Sequence, residues 1–414
     1  MSPIAADTKS TARHSLPLII AAAAILLITT GTRQVTGLFV QPIISTTGIS
    51  IAAISFALAV GQFMWGAAQP VFGALADHYG AFRVLVAGAF LLAVGLALTP
   101  YAHTQTSLLL TLGILSAAGA GAGSFSILIG GTARRLAPEQ RSLAAGTVNA
   151  GGSLGQFVFA PVTQFVIGAW GWGAAMFTLA SSALLTIPLA WPLRRKTPAP
   201  DATQAADTKH SITLREQLRI AVRDPNYIYL NLGFFTCGFH VAFLVTHFPG
   251  EIRNCGLSAN VAANSLALIG LFNVGGSIAA GLLGQRFRMK SVLAGIYGAR
   301  AALILIYLLM PKTALNVYLF AASMGLTWLA TVPPTSGIVA KLFGVRYLGT
   351  LFGLTLVSHQ TGAFLGAWLG GIAMAQLGSY QWIWYADMAL AAAAALVNLP
   401  IREEKPLARA TVAA

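Results

Sequence analysis

Residues 73–83 read Gly73-Ala-Leu-Ala-Asp77-His-Tyr-Gly80-Ala-Phe-Arg83 and connect two long apolar stretches, 50–76 and 82–101. A helix needs about 20 apolar residues to cross the hydrocarbon core of a bilayer, and each flanking stretch is long enough. A short polar turn between two such stretches is typical of a chain that leaves the membrane and re-enters it at once. The same alternation recurs along the chain and predicts twelve transmembrane helices. They lie near 16–44, 50–76, 82–101, 106–133, 142–167, 171–193, 227–249, 258–284, 290–310, 314–340, 347–376 and 382–401.

The composition excludes a soluble protein. Of 414 residues, 56% are hydrophobic and only 9% are charged, against about 25% charged in an ordinary soluble domain. Backbone groups in hydrocarbon must be paired within their own segment, so the spans should be α-helices. The stretch 16–44 follows a polar tail and is longer than the core of a signal peptide, which indicates a span that is kept. The predicted fold class is an all-α membrane protein embedded in the lipid bilayer.

The basic residues orient the bundle. Of the 25 Lys and Arg residues, 21 fall in the termini and in the loops after even-numbered spans, whereas only Arg253 and Lys312 fall in the other loops. This bias predicts that both termini face the cytoplasm. The net charge of +14 would also suit a nucleic-acid-binding protein. However, the basic residues form no face interleaved with aromatic side chains, so no nucleic acid is expected as a partner.

The two halves of the chain repeat at an offset of 207 residues. Gly31 matches Gly238 and Pro42 matches Pro249, and further glycines match in the fourth, fifth, tenth and eleventh spans. One constant offset across several helix pairs indicates an internal duplication. The predicted division is a tail at 1–15, a six-helix half at 16–193, a cytoplasmic loop at 194–225, a second six-helix half at 226–401 and a tail at 402–414.

The stretch 73–83 resembles the signature loop of the major facilitator superfamily, Gly-x-x-x-Asp-x-x-Gly followed by basic residues. The resemblance implies two six-helix halves around a central cavity, and a loop whose acid steadies the arrangement that is closed toward the cytoplasm. The match departs from the pattern after Gly80, because Arg83 is the only basic residue there. The equivalent loop of the second half has Gln285 in place of the acid. The residues implied to form this conformational latch are Gly73, Asp77, Gly80 and Arg83.

Three segments, 33–42, 271–273 and 359–370, are similar to bacterial porters of the monocarboxylate and oxalate–formate type. This resemblance implies a secondary transporter that moves a small organic anion across a bacterial inner membrane by alternating access, and a monomer is expected. Animal-type monocarboxylate porters have an Asp and, four residues on, an Arg in span 8, where this chain has Asn273 and Ser277. Another residue would therefore have to take the place of that arginine.

No catalytic site can be assembled from the sequence. It contains no Gly-x-x-x-x-Gly-Lys-Ser/Thr phosphate loop, no nucleophile with a base beside it and no cluster of metal-ligating residues. We therefore expect no enzymatic activity, no cofactor and no metal ion.

Ionisable side chains at membrane depth cost about 2.5–3.5 kcal/mol each on insertion scales, so each needs a reason. Arg33 lies midway along span 1; either it offers its planar, charged fork to a carboxylate, or structural partners hold it. The offset matches Arg33 with His240. The resemblance to the superfamily implies that the first helix of each half lines the central cavity, so the two should face each other across it. His240 would bind the same anion, carry a proton or have a structural role. The helices expected to line the cavity carry no acid at this depth, which favours an anionic substrate.

Further side chains complete the predicted site. Gln62 and Gln156 are additional hydrogen-bond donors, Arg300 is expected to be structural, and Asp387 is expected to lie outside the site. Proton symport and anion exchange are both open, because no buried acid fixes the coupling. A monocarboxylate is the predicted substrate, and export of amphipathic or drug-like compounds is the alternative. The residues predicted to bind the anion are Arg33, His240, His359, Asn149, Asn273 and Gln360.

Overall fold

The computed structural model describes residues 4–133, 136, 138–194, 213–344 and 347–403. Side chains are described from Leu16 onward, apart from those of residues 77, 133, 138–143 and 145. The first half is a series of helices, with 3-10 turns at Thr36–Phe39, Thr99–Tyr101 and Trp191–Arg194 and a π-helical segment at Leu109–Ser116. Its α-helices are α1 (Ile4–Gln34), α2 (Val40–Thr47), α3 (Ile51–Tyr79), α4 (Ala81–Leu98), α5 (Gln105–Leu108), α6 (Ala117–Ala122), α7 (Phe125–Ala133), α8 (Pro138–Leu184) and α9 (Thr186–Leu189).

The second half is also helical over its described residues. A short amphipathic helix precedes its first long helix, and an Asp224 side chain accepts the backbone N–H groups that open that long helix. The helices are α10 (Leu214–Ala221), α11 (Pro225–Asn254), α12 (Ala259–Arg286), α13 (Met289–Leu309), α14 (Ala314–Thr327), α15 (Val332–Phe343), α16 (Leu348–Leu377) and α17 (Gln381–Asn398).

The long helices confirm an all-α, multi-pass membrane protein. Within the described residues, nine helical segments are long and apolar enough to cross a membrane. One of them, Gly146–Leu189, has 44 residues and turns at Gly171, whose φ of +86° lies outside the helical region. The helices α16 and α17 are not among the nine. Twelve crossings would require the long segment to cross twice and both C-terminal helices to cross, so that number stays a prediction.

Only some of the predicted boundaries fall within the described residues. α1 begins at Ile4 and continues into the first span, so the described part of the predicted N-terminal tail belongs to that helix. Residues 195–212 of the predicted central loop and 404–414 of the C-terminal tail lie outside the described residues.

Glycines at matching positions bring matching helices together. A Cβ atom at Gly31 would overlap the backbone of Gly155, so α1 packs directly on α8. In the second half, a Cβ atom at Gly238 or at Gly362 would overlap the facing backbone, so α11 packs in the same way on α16. The 207-residue offset thus corresponds to the same close helix contact in both halves, which small residues permit.

Three of the apolar spans are broken along their length. α1 ends at Gln34 and continues as a 3-10 turn, and the fourth span breaks between α6 and α7. The tenth span breaks between α14 and α15. Each break leaves helix carbonyl groups without intrahelical partners, and these need other donors. In the fourth span the Thr29 hydroxyl donates to the carbonyl of Gly123 at 2.9 Å.

The turns at Gly48 and Gly80 lie at opposite ends of α3 and mark the two ends of the bundle, called here the Gly48 end and the Gly80 end. Both glycines have a positive φ, 71° and 89°, which other residues rarely adopt. The halves are in close contact toward the Gly48 end. There a Cβ atom at Gly37 would overlap the carbonyl of Val245, and one at Gly371 would overlap the side chain of Ser55.

Candidate functional site

Arg33 lies in the last turn of α1, immediately before the helix breaks. Its Nη1 donates a hydrogen bond to Oε1 of Gln62 on α3. Its Cζ lies 4.3 Å from the centroid of the Trp65 ring, one turn further along the same helix. The guanidinium group is therefore held by an amide at one edge and by an aromatic face.

The rest of the Arg33 guanidinium has no protein partner among the described residues. Its Nε is buried without a hydrogen bond, and no carboxylate among the described side chains lies within salt-bridge distance. Between residues 16 and 193 the sequence has only two acids, Asp77 and Glu139, which stand near the ends of α3 and α8. Arg33 is thus a permanent positive charge without a neutralising acid among the described side chains.

A small cavity borders Arg33 inside the first half. Thr32, Thr36, Gln62 and Ser116 supply its polar lining, and the remaining wall is formed by Leu and Ala side chains and Gly61 from α3, α4, the π-helical segment and α6. Arg33 is the single cationic residue of this lining. An occupant would therefore meet one positive charge, a few hydroxyl and amide groups and an apolar wall.

His240 is not across a cavity from Arg33, so that expectation is wrong. Its Nδ1 lies 2.6 Å from Oδ2 of Asp387, and its Nε2 lies 3.1 Å from the Met324 sulfur. Both His240 and Asp387 are completely buried. The histidine therefore faces α17 and α14 within its own half, and protein groups contact both ring nitrogens. This arrangement agrees with the structural role that is one of the three alternatives for His240.

His359 and Gln360 are adjacent on α16 but contact different helices. The His359 ring packs 4.9 Å from the ring of Phe234 on α11, within the second half. The Gln360 side chain occupies the space beside Gly66 of α3, and its Nε2 lies 3.3 Å from Nδ1 of the adjacent His359. Its Oε1 is buried without a partner. Gln360 therefore lies at the contact between the halves, one helical turn along α3 from the residue that holds Arg33.

The two predicted asparagines differ. Asn273 is 2% exposed; its Nδ2 donates to Ser153 Oγ at 2.9 Å, and its Oδ1 accepts from the Leu329 N–H at 3.0 Å. It therefore joins α12 to α8 of the other half. It also accepts a backbone N–H group at the break of the tenth span. Asn149 is half-buried on α8, and no hydrogen bond of its side chain is found among the described residues.

Arg300 has the structural position expected of it. It is fully buried on α13, and its Nη2 donates to the carbonyls of Thr327 and Trp328 at the C-terminal end of α14. Its Cζ lies 5.3 Å from the Tyr297 ring. Arg300 thus satisfies the carbonyls that the break of the tenth span leaves free.

The predicted latch is described in part. Gly80 ends α3 with φ +89°, and Arg83 is exposed in the first turn of α4. A Cβ atom at Gly73 would meet nothing within 4 Å. The side chain of Asp77 lies outside the described residues, so the role of the latch stays a prediction.

Sequence reasoning missed Trp65 and undervalued Asp387. The offset contains a signal for the acid, because the position 207 residues before Asp387 is the buried Ala180. His240 therefore has an acid within hydrogen-bonding distance, whereas the matching Arg33 has none among the described side chains. No comparable signal marks Trp65, since any of the eight tryptophans could have packed against apolar helices.

Comparisons with known proteins agree with this architecture. A family model described as the Major Facilitator Superfamily matches residues 22–367. The oxalate:formate antiporter of Oxalobacter formigenes is 26% identical over 341 residues, which cover 80% of this chain and 78% of the antiporter. Monocarboxylate transporter 13 of Bos taurus is 25% identical over 383 residues, covering 88% and 84% of the two chains.

Solved structures share the fold. A D-xylose–proton symporter superposes with a TM-score of 0.73 at 16% identity, covering 94% of this chain and 97% of the symporter. A bacterial homologue of the human lysosomal transporter Spinster, in an inward-facing and unoccupied conformation, superposes with a TM-score of 0.70 at 15% identity. The superposition covers 94% of this chain and 95% of the homologue.

Proposed function

The chain belongs to the major facilitator superfamily, and from this premise we propose that it is a secondary transporter of a small organic anion, specifically a monocarboxylate. The observation that supports this proposal is the Arg33 guanidinium at membrane depth, which has a protein acceptor on one edge and, among the described side chains, no acid beside it. An arginine binds a carboxylate through two parallel N–H···O bonds. A buried charge without a partner is costly, so a bound anion would stabilise this site.

The charge of the cavity favours a single carboxylate. Arg33 is the one cation that lines it, and it balances one negative charge. A second carboxylate of a dianion would meet leucine and alanine side chains and would lose its hydration without compensation. The hydroxyls of Thr32, Thr36 and Ser116 suit the remaining lone pairs of one carboxylate.

The relatives support a small carboxylate as the substrate. One is named for two carboxylates, oxalate and formate, and another for monocarboxylates. The family rests on the match of the family model to residues 22–367. Identities of 26% and 25% leave the substrate to be decided by the site. Because Asn273 is occupied by protein contacts, Arg33 is the residue proposed to replace the span 8 arginine of the animal porters.

Transport would proceed by alternating access in a bacterial inner membrane, with a monomer whose termini both face the cytoplasm. The halves would rock about the Arg33 site, and the loop that contains Gly73, Asp77 and Gly80 would hold the Gly80 end closed in the alternate state. Coupling would follow either proton symport or anion exchange. The buried His240–Asp387 pair is a candidate proton carrier, at 2.6 Å between Nδ1 and Oδ2.

The test removes the positive charge of Arg33 in one variant and only its planar fork in another. We expect Arg33→Gln to reduce uptake of propionate, isobutyrate and benzoate into proteoliposomes by about tenfold to a hundredfold, because a charge-assisted hydrogen bond contributes about 1.5–3 kcal/mol. Arg33→Lys should retain part of the uptake, since it keeps the charge and loses the fork. The control is Arg219→Gln, an exposed residue of α10.

Two outcomes would contradict the proposal. Unchanged uptake by Arg33→Gln would remove Arg33 from the anion site. Transport of cationic or neutral dyes by the native protein, with none of the acids, would instead support an exporter of amphipathic compounds. An imposed pH gradient in the same vesicles separates proton symport from exchange, because only symport is driven by the gradient in the absence of internal anion.

A further inference from the structure

We infer that Gln62 and Trp65 are positioning residues, which hold the Arg33 guanidinium so that one edge, formed by Nε and Nη2, remains free for a carboxylate. This inference rests on the proposed function and adds to it the residues that orient the clamp. Neither residue needs to touch the anion. Both stand on α3, three positions apart, and therefore project from the same side of that helix toward Arg33.

The contacts divide the guanidinium into occupied and free parts. Gln62 accepts from Nη1, and the Trp65 ring covers one face at 4.3 Å. Nε–H and Nη2 point from the opposite edge of the planar group, and this is the edge on which two parallel bonds to a carboxylate can form. Nε is buried without a partner, and no bond of Nη2 is found among the described residues. The unsatisfied edge is therefore the one that suits a bidentate anion.

The amide of Gln62 is chemically suited to positioning. A glutamate at this place would accept the same hydrogen bond, but it would also neutralise Arg33. The neutral amide orients the fork and leaves the positive charge to the cavity, where Arg33 is the single cation of the lining. Gln62 is 6% exposed, so its side chain is held in a confined space rather than in solvent. The identity of residue 62 thus determines whether the site can attract an anion.

Trp65 limits the directions from which a ligand can approach. A ring over one guanidinium face excludes water and other acceptors from that side and strengthens the bonds at the edge. The backbone carbonyl of Trp65 also packs close to Gly121 of α6, which fixes this part of α3 in place. A side chain without a ring at position 65 would leave the fork free to rotate.

The experiment compares two acids placed on the same helix. Gln62→Glu should weaken binding of propionate, isobutyrate and benzoate to the purified protein by about tenfold or more, measured by calorimetry. Its thermal midpoint should be maintained or raised, because a new Arg33–carboxylate pair forms at no cost in volume. Gln69→Glu is the matched control, since residue 69 lies two turns along α3 and hydrogen-bonds Ser126 rather than Arg33. It should bind the acids as the native protein does.

Two further variants test orientation without adding charge. Gln62→Leu removes the acceptor, and Trp65→Leu removes the ring; each should raise KM for uptake by severalfold with little change in kcat. Trp65→Phe keeps an aromatic face and should restore the native KM. A purely structural role would instead lower the thermal midpoint of all these variants in parallel and leave the KM of the recovered protein unchanged.

The outcomes separate this inference from the function on which it rests. If Arg33→Gln binds the acids as well as the native protein, the anion clamp itself is wrong. If Arg33→Gln loses binding while Gln62→Leu and Trp65→Leu both keep the native KM, only the positioning role is overturned. Equal weakening by Gln62→Glu and Gln69→Glu would also overturn it, because the effect would then come from added negative charge anywhere on α3. Should Gln62→Glu fail to yield folded protein, the Trp65→Leu and Trp65→Phe pair decides.

Discussion

The two ends of the helix bundle differ in how closely its halves approach each other. Toward the Gly48 end, α3 and α16 are in contact through Ser55 and Gly371, and the Phe56 ring packs 6.1 Å from that of Phe364. Nearer the middle, Gly66 meets the Gln360 side chain. Beyond this point, toward the Gly80 end, the glycines of these helices have open space beside them.

The alignment of α3 against α16 in this contact indicates which two residues would meet next toward the Gly80 end. The step from Ser55 to Gly66 along α3 matches the step from Gly371 back to Gln360 along α16, eleven residues in each case. Seven residues further on, α3 reaches Gly73 and α16 reaches Gly353, and a Cβ atom on either would meet nothing within 4 Å. The two helices therefore diverge where two glycines would next face each other.

The contact between α8 and α12 repeats the arrangement. Gly270 packs against the backbone near Ser153, and the Asn273 amide donates to the Ser153 hydroxyl. Continued toward the Gly80 end, the same two helices carry Gly146 and Gly281, and both have open space. Closing the Gly80 end would bring small residues together in both contacts. Glycine thus permits the close contact at the Gly48 end, and we expect the open glycines at the other end to permit a matching contact in the alternate state.

The largest effect is expected from a bulky residue at the open end. Gly353→Leu should not disturb the conformation seen here, because nothing lies within 4 Å of its Cβ. It should nevertheless reduce transport to the level of protein-free liposomes, since the leucine would prevent α16 from approaching Gly73. Binding of the transported acid to the purified protein should be unchanged. Transport and binding measured on the same preparation check this prediction.

Two variants control for it. Gly353→Ala adds a single methyl group and should lose transport only in part. Gly295→Leu, on the exposed side of α13 and also free of neighbours within 4 Å, should transport normally. Normal transport by Gly353→Leu would mean that α3 and α16 do not meet at this pair, and the extended register would be wrong.

A smaller, graded effect is expected at the closed end. A side chain at Gly371 would overlap that of Ser55, and overpacking of this kind costs about 1–3 kcal/mol. Gly371→Ser should therefore disfavour the present conformation and lower the maleimide reactivity of a cysteine introduced at Gly353, by about tenfold for each 1.4 kcal/mol. Combining it with Ser55→Gly exchanges the two side chains and should restore the reactivity. A reactivity that does not respond to either change would show that this contact has no part in setting the conformation.

Much of this architecture could be predicted from the sequence because it depends on periodic, repeated features. Apolar length predicts the spans, and the 207-residue offset pairs Gly31 with Gly238, which make the same helix contact in both halves. The open glycines Gly146 and Gly353 are likewise a matched pair, although their role required the helix register. Backbone packing is conserved by a duplication, so the repeat is a good guide to it.

Side-chain partners were less predictable because the duplication does not preserve them. Arg33 and His240 share a register, yet α1 breaks after Gln34 whereas α11 continues to Asn254. The neighbours also differ, since Asp387 replaces a position that is alanine in the first half. Asn273 was expected at the substrate and instead joins the two halves, a role that depends on the three-dimensional position of Ser153.

The smallest effect is expected from the single polar bond of the second contact. Ser153→Ala removes the acceptor of the Asn273 amide, which stands 2.9 Å from the hydroxyl, and a hydrogen bond of this kind contributes about 1 kcal/mol. The other partner of Asn273, the Leu329 N–H, is kept, so the break of the tenth span should stay intact. The lost bond joins the two halves in the present conformation, so we expect the reactivity of a cysteine at Gly353 to fall, by less than in Gly371→Ser. Thr163→Ala is the control, since that buried hydroxyl of α8 has no hydrogen-bond partner among the described residues. A fall equal to or greater than that of Gly371→Ser would mean that the α8–α12 contact, rather than the α3–α16 contact, holds the Gly48 end closed.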